Sequence, residues 1–265
     1  VLRPETGETM LFRRLILSAV AVGVLAGILL SVGQQFTTVP IITAAETYEQ
    51  PAAPAHDSHG TAHAHGAAHS HGHGDAESRG AAEGFQRAAF TVLADMGVAI
   101  GFGILLLVVM ALARTTLGAT MGPGTGALWG AAGFGAVFLA PALGLSPEVP
   151  GTAAAALESR QLWWITTVAI AAIALALLAF APGYRKLGAL VLLPLPYLFG
   201  APEADGPLFA GHGPEAVEAL EQLHLRFIVA TGLLNAVFWV ILGVACGWVM
   251  RRWIRVEPPA SHATA

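Results

Sequence analysis

The chain has 265 residues, of which 55% are hydrophobic and only 11% charged, with 31 glycines and a formal net charge of −4. Soluble domains are about one-quarter charged, and several runs here reach the roughly 18–20 apolar residues that cross a hydrocarbon core about 30 Å thick. That argues against a water-soluble fold and for an all-α, polytopic membrane helix bundle. The single cysteine, Cys246, lies in the last apolar run, so it can form no intramolecular disulfide and reads as a small packing residue.

In chain order, residues 1–14 read as a polar N-terminal tail, of which 1–9 precede Met10 and are assigned no structure. The first span is expected at 15–36. Arg13-Arg14 before an apolar core imitates a secretory or twin-arginine signal. No good small-x-small cleavage site follows Val32-Gly33-Gln34, so a retained anchor is favoured. Residues 37–88 read as an extramembrane loop. Further spans are expected at 89–113, 126–145, 162–181, 187–200 and 227–250, with a tail at 254–265. The segment 187–200 is the short one, and Pro194 and Pro196 kink it. As a helix it reaches only about 21 Å, so it reads as a kinked span or a re-entrant segment shielded by protein.

Charge distribution arbitrates the count. With six spans, one side carries nine basic groups (Arg3, Arg13, Arg14, Arg114, Arg185, Lys186, Arg251, Arg252, Arg255) against three acidic ones. The other carries four basic groups against thirteen acidic ones, with Asp95 left inside the second span. Basic residues are retained on the cytoplasmic side, so both termini are expected inside and the long loop outside. Five crossings would strand Arg251–Arg255 outside.

That loop holds seven of the ten histidines: His56, His59, His63, His65, His69, His71 and His73. Imidazole is the commonest transition-metal ligand. The spacings, filled by Gly, Ala and Ser, build no fixed tetrahedral site. They suit loose capture of several ions, lost as the imidazoles protonate near pH 6. The bland alternative is a low-complexity spacer. Zn²⁺, Ni²⁺, Co²⁺ and Cu²⁺ all suit such ligands, so the loop does not select one.

Other candidate groups are fewer. Glu46 and Glu49 stand three apart after the first span, on one face of a helix, and could receive a cation at the outer mouth; a solvated amphipathic stretch explains them equally. Glu221 and His224 form an ExxH pair on one helical face, as in bundle metal sites, although acidic residues early in a helix need no metal. Asp95 and Asn235 fall inside spans, where polar groups are expensive and line paths or bind neighbouring helices. Trp163, Trp164, Trp248 and Trp253 read as interfacial belts. Gly23/Gly27, Gly97/Gly101 and Gly243/Gly247 permit close helix packing, at a frequency near chance. Gly122-Pro-Gly-Thr-Gly reads as an inner turn. It lacks the Lys-Ser/Thr of a phosphate loop, so no ATP hydrolysis is expected.

The segments LFRRLILSA, QQFTTVPIITAAETYE, GFQRAAFTVLADMGVAIGFGILL, GAAGFGAVFLAPALGLSPEVPG followed by RQLWW, and LLPLPYLFGAP, in this order, resemble the CbtA family of predicted prokaryotic cobalt transporter subunits. The resemblance runs from Met10 to Trp253. It implies an inner-membrane protein working in cobalamin-related cobalt uptake beside a small one-span, His-bearing partner, CbtB. Family members are usually described with five membrane segments, where the charge pattern here argues for six.

The expectation is therefore a divalent-metal uptake subunit, with Co²⁺ (or Ni²⁺ or Zn²⁺) as cargo and membrane lipid as surroundings. The His-rich loop is its collector, Glu46, Glu49 and His224 are relay ligands, and Asp95 and Asn235 line the path. No prosthetic group, nucleic-acid partner or enzymatic activity is expected. The competing reading is a membrane-bound metal buffer, sensor or assembly scaffold without transport.

Overall fold

The computed structural model describes residues 7–48 and 73–253. Among them every regular element is helical. The order is α1 (Gly7–Phe36), α2 (Val39–Glu46), α3 (His73–Leu117), α4 (Pro123–Gly133), a π-helical stretch (Phe134–Leu139), α5 (Ala140–Ala142), α6 (Leu157–Phe180), a 3₁₀ turn (Gly183–Lys186), α7 (Leu187–Leu192), α8 (Leu195–Phe199) and α9 (Pro214–Arg252). Five segments are long and apolar enough to cross a membrane: Phe12–Phe36, Ala88–Leu117, Pro123–Ala142, Leu157–Phe180 and Pro214–Arg252.

Two boundaries differ from the sequence expectation. Residues 122–126 are not a free turn. Pro123, with its preset φ and no N–H to orphan, opens α4, while the Thr125 hydroxyl accepts the Gly122 N–H at 2.8 Å. The extramembrane segment is also partly helical, since α2 follows α1 after a short turn and α3 begins at His73.

Residues 187–200 form no single long helix. Pro194 and Pro196 lack the N–H groups a continuous ladder needs, and the segment divides into α7 and α8. Its path is nevertheless informative. A Cβ on Gly188 would lie 3.5 Å from Leu177, near the end of α6. Tyr197 stands 6.1 Å from Trp163 between ring centroids, near the start of α6. The segment thus returns along the length of α6, antiparallel to it.

This return reconciles five long helices with the chain's direction. α1 and α3 run antiparallel, with Gly23 against Ile100 and Gly27 against Met96. α4 runs antiparallel to α9, with Gly126 against Gly247 and Gly130 against Gly243. It also runs antiparallel to α6, since Gly135 faces Leu175 and Trp129 meets Phe180 at 5.9 Å. Hence α6 and α9 point the same way, and α7–α8 carry the chain back between them. The start of α1 and the end of α9 share one end of the bundle, as the cavity lined by Arg14, Ser18, Arg252 and Trp253 shows.

The seams are made by small residues. A Cβ on Gly126, Gly130, Gly243 or Gly247 would overlap the backbone of the facing helix, so only glycine lets α4 and α9 approach this closely. The main core lies where α1, α3 and α9 meet. Trp239, 1% exposed, packs there against Phe102 at 4.7 Å, with Leu107, Met110, Leu242 and Cys246 around them. Pro141 explains the π-helical stretch before it, because its ring cannot fit a regular turn and widens the ladder. The carbonyl of Ala140, next to Pro141, accepts the Tyr197 hydroxyl at 2.6 Å.

Candidate functional site

The acidic end of the bundle carries two polar constellations. The first crosses the α1–α3 seam. Asp95, half-buried on α3, accepts a short hydrogen bond from the Ser31 hydroxyl on its Oδ2 and another from Gln34 Nε2 on its Oδ1 at 3.3 Å. Ser31 is only 3% exposed. Ser31 and Gln34 are three apart and so share the face of α1 that meets α3. Gly27, one turn below, brings the backbones together, since a side chain there would strike Met96 and the Asp95 carbonyl. The two donors anchor the Asp95 side chain, whose partial burial costs less because both oxygens are bonded.

The second constellation is a small cap formed by α2, the start of α9 and two loops. Ala45 of α2, Val149, Phe209 and Leu220 of α9 form a small core of their own, with Ile41, Val217, Leu223 and Phe227 packed against it. His224 sits beneath this cap. It is 9% exposed and meets Phe209 edge-on at 6.2 Å, and its Nδ1 is buried without a partner among the described residues. α9 has 39 residues, about 58 Å, so its first turns, with Glu215, Glu218, Glu221 and His224, stand clear of a 30 Å hydrocarbon core. Burial lowers the His224 pKa below its ordinary value, and the nearby Glu148 carboxylate partly offsets this. The shift favours the neutral imidazole, the form that ligates metals. Glu148 itself pairs with Arg160 at 2.9 Å.

A second cap histidine, His212, was not singled out in the sequence. Its Nε2 lies 3.2 Å from the Tyr48 carbonyl, which ties the end of α2 to the loop before α9, and its Nδ1 is buried without a partner among the described residues. The sequence signal for it was weak, a lone histidine between two glycines.

The remaining sequence candidates are placed as follows. His56, His59, His63, His65, His69, His71 and Glu49 lie outside the described residues, and His73 is the first residue of α3. Glu46 ends α2 and is exposed. Glu221 is exposed while His224 is buried, so the ExxH pair does not present two ligands to one space. Asn235 donates to the Thr231 carbonyl on its own helix at 3.0 Å rather than across a seam. Among the described residues no three His, Cys, Asp or Glu side chains converge into a metal-binding group. The described residues therefore offer separate ligand-type side chains rather than a closed cluster.

Several long apolar helices define a polytopic helical membrane protein, and one end of its bundle carries the Asp95 clasp and the buried His224 imidazole. Residues 12–251 match the family described as "Probable cobalt transporter subunit (CbtA)", and the chain belongs to that family. As a transporter subunit, it works within a larger assembly. Comparison with curated proteins and with solved structures gave no match.

Proposed function

We propose that this chain is the membrane-embedded subunit of a cobalt uptake system in a prokaryotic inner membrane, with both termini inside and the acidic end outside. The observation that carries this reading is the family match across residues 12–251. The His-rich segment, which leaves the acidic end between Tyr48 and His73, collects divalent ions. Glu46, Glu49 and His224 relay them toward the mouth. Asp95 receives the cation there, and a turn of the Gln34 carboxamide replaces its donor N–H with an acceptor oxygen, giving a mixed oxygen set with Ser31. Asn235 has a lesser part, because its amide is already spent within α9. A small one-span, His-bearing subunit is the partner, and Ni²⁺ and Zn²⁺ are competing cargoes.

Uptake of radioactive cobalt by whole cells carrying the complete transporter tests this. Asp95→Asn keeps the volume and one acceptor but removes the charge, and it is expected to lower maximal uptake at least about tenfold. Deleting residues 56–73 is expected to weaken apparent affinity while leaving maximal uptake intact. Unchanged uptake in Asp95→Asn would remove Asp95 from the path. Loss of all function on loop deletion, with no uptake activity in the parent protein, would favour a metal buffer.

A further inference from the structure

At the opposite, basic end a cavity of about 710 Å³ opens between the start of α1 and the end of α9. Arg14, Leu17 and Ser18 line it from α1, and Arg252 and Trp253 line it from α9. Neither arginine has a carboxylate partner among the described residues. Ser18, 6% exposed, supplies a buried hydroxyl with no helix-breaking role. Two guanidiniums on one cavity, without a carboxylate partner among the described residues, repel each other, and that cost is relieved when an anion sits between them.

The walls say which anion. Trp253 meets Trp248 edge-on at 5.2 Å, and both are about half exposed, as aromatic residues are at headgroup depth. Leu17 is 61% exposed just below the arginines, on the surface that continues into the apolar flank of α1. A free phosphate has no use for that wall, whereas a lipid phosphate carries acyl chains that must leave through it. Basic pockets between helices at this depth suit anionic headgroups.

We propose that this cavity binds the phosphodiester headgroup of an anionic membrane lipid, with Arg14 and Arg252 clasping the phosphate, Ser18 donating to it and Leu17 and Trp253 flanking its glycerol and first acyl carbons. The site joins the first and last long helices, so an occupant closes the bundle at its basic end. This assignment stands independently of the metal reading.

The test uses the full chain purified in nonionic detergent, titrated with phosphatidylglycerol or phosphatidylcholine and followed by native mass spectrometry and thermal stability. Phosphatidylglycerol is expected to bind and to raise the unfolding temperature where phosphatidylcholine does not. Arg14→Gln and Arg252→Gln, both at exposed positions that leave the core untouched, are each expected to weaken its binding about fivefold, and the double variant about 25-fold. Arg185→Gln with Lys186→Gln removes the same charge from the same end, outside the cavity, and is expected to leave binding within about twofold. Equal losses in this control and the cavity variants would reduce the effect to general surface charge and overturn the proposal. So would equal binding of the two lipids. Displacement of the lipid by an equal concentration of inorganic phosphate would assign the cavity to the free anion instead.

Discussion

His224 shows how one buried side chain ties function to pH. Its imidazole is packed under Phe209 and Leu220, and burial lowers its pKa while Glu148 pulls it partly back. In the unfolded chain it protonates near the ordinary value of about 6.5. The unfolded state therefore binds more protons over the window below that value. The stability this histidine contributes is complete above about pH 6.5 and falls as pH drops toward the lowered folded value, then levels off. Thermal unfolding of the parent protein is expected to shift downward between pH 7 and 5 by more than that of His224→Gln, which cannot titrate. Equal shifts in both proteins would deny His224 this role. In the sequence His224 was legible only as a candidate ligand. An ExxH spacing puts both residues on one helical face, but it cannot say that Phe209, from a distant loop, meets the buried histidine while Glu221 stays in the open. For Asp95 the reverse holds, because its cost in a span marked it at once, while its Ser31 and Gln34 partners awaited the α1–α3 register.

Helix elements here are joined by glycine more than by bulk. Three small-residue pairs of identical spacing stand in the sequence, and spacing alone does not rank them. Gly23/Gly27 and Gly243/Gly247 lie against neighbouring backbones, while Gly97 and Gly101 face open space on α3. The partners of the α9 pair, Gly126 and Gly130, were obscured because Gly-Pro-Gly-Thr-Gly reads equally well as a turn. A substitution pair separates the two environments. Gly126→Ala places a methyl inside the α9 backbone and is expected to cost at least about 1–3 kcal/mol through overpacking. Gly97→Ala meets nothing and is expected to stay within about 0.5 kcal/mol of the parent. Fluorescence-detected size exclusion after graded heating reads both, and a tolerated Gly126→Ala would mean that α4 and α9 do not touch as described.

At the scale of the whole molecule, the question is how five long helices leave the start of α1 and the end of α9 at one end of the bundle. Charge alone argues for an even number of crossings, since the alternative strands Arg251 and Arg252 on the outer face. It could not say how a segment of about 21 Å, broken by two prolines, would reach across. The fold answers with packing: α7 and α8 lean along α6, and Tyr197 donates to the carbonyl of Ala140 in the proline-interrupted α5. One broken helix thus supplies a donor to a carbonyl of the other, the kind of pairing that irregular backbone needs at membrane depth. The arrangement fixes a labelling pattern. With Cys246, which is fully buried, replaced by Ala, single cysteines at Arg14, Tyr184 and Arg252 are expected to react with an impermeant maleimide only after the cells are opened. Cysteines at Tyr48, Glu203 and Glu215 are expected to react in intact cells. The decisive positions are 184 and 203, which flank the return. If both react from the same side, α7–α8 do not carry the chain across, the parallel course of α6 and α9 is lost, and the acidic cap no longer shares a face with the His-rich segment.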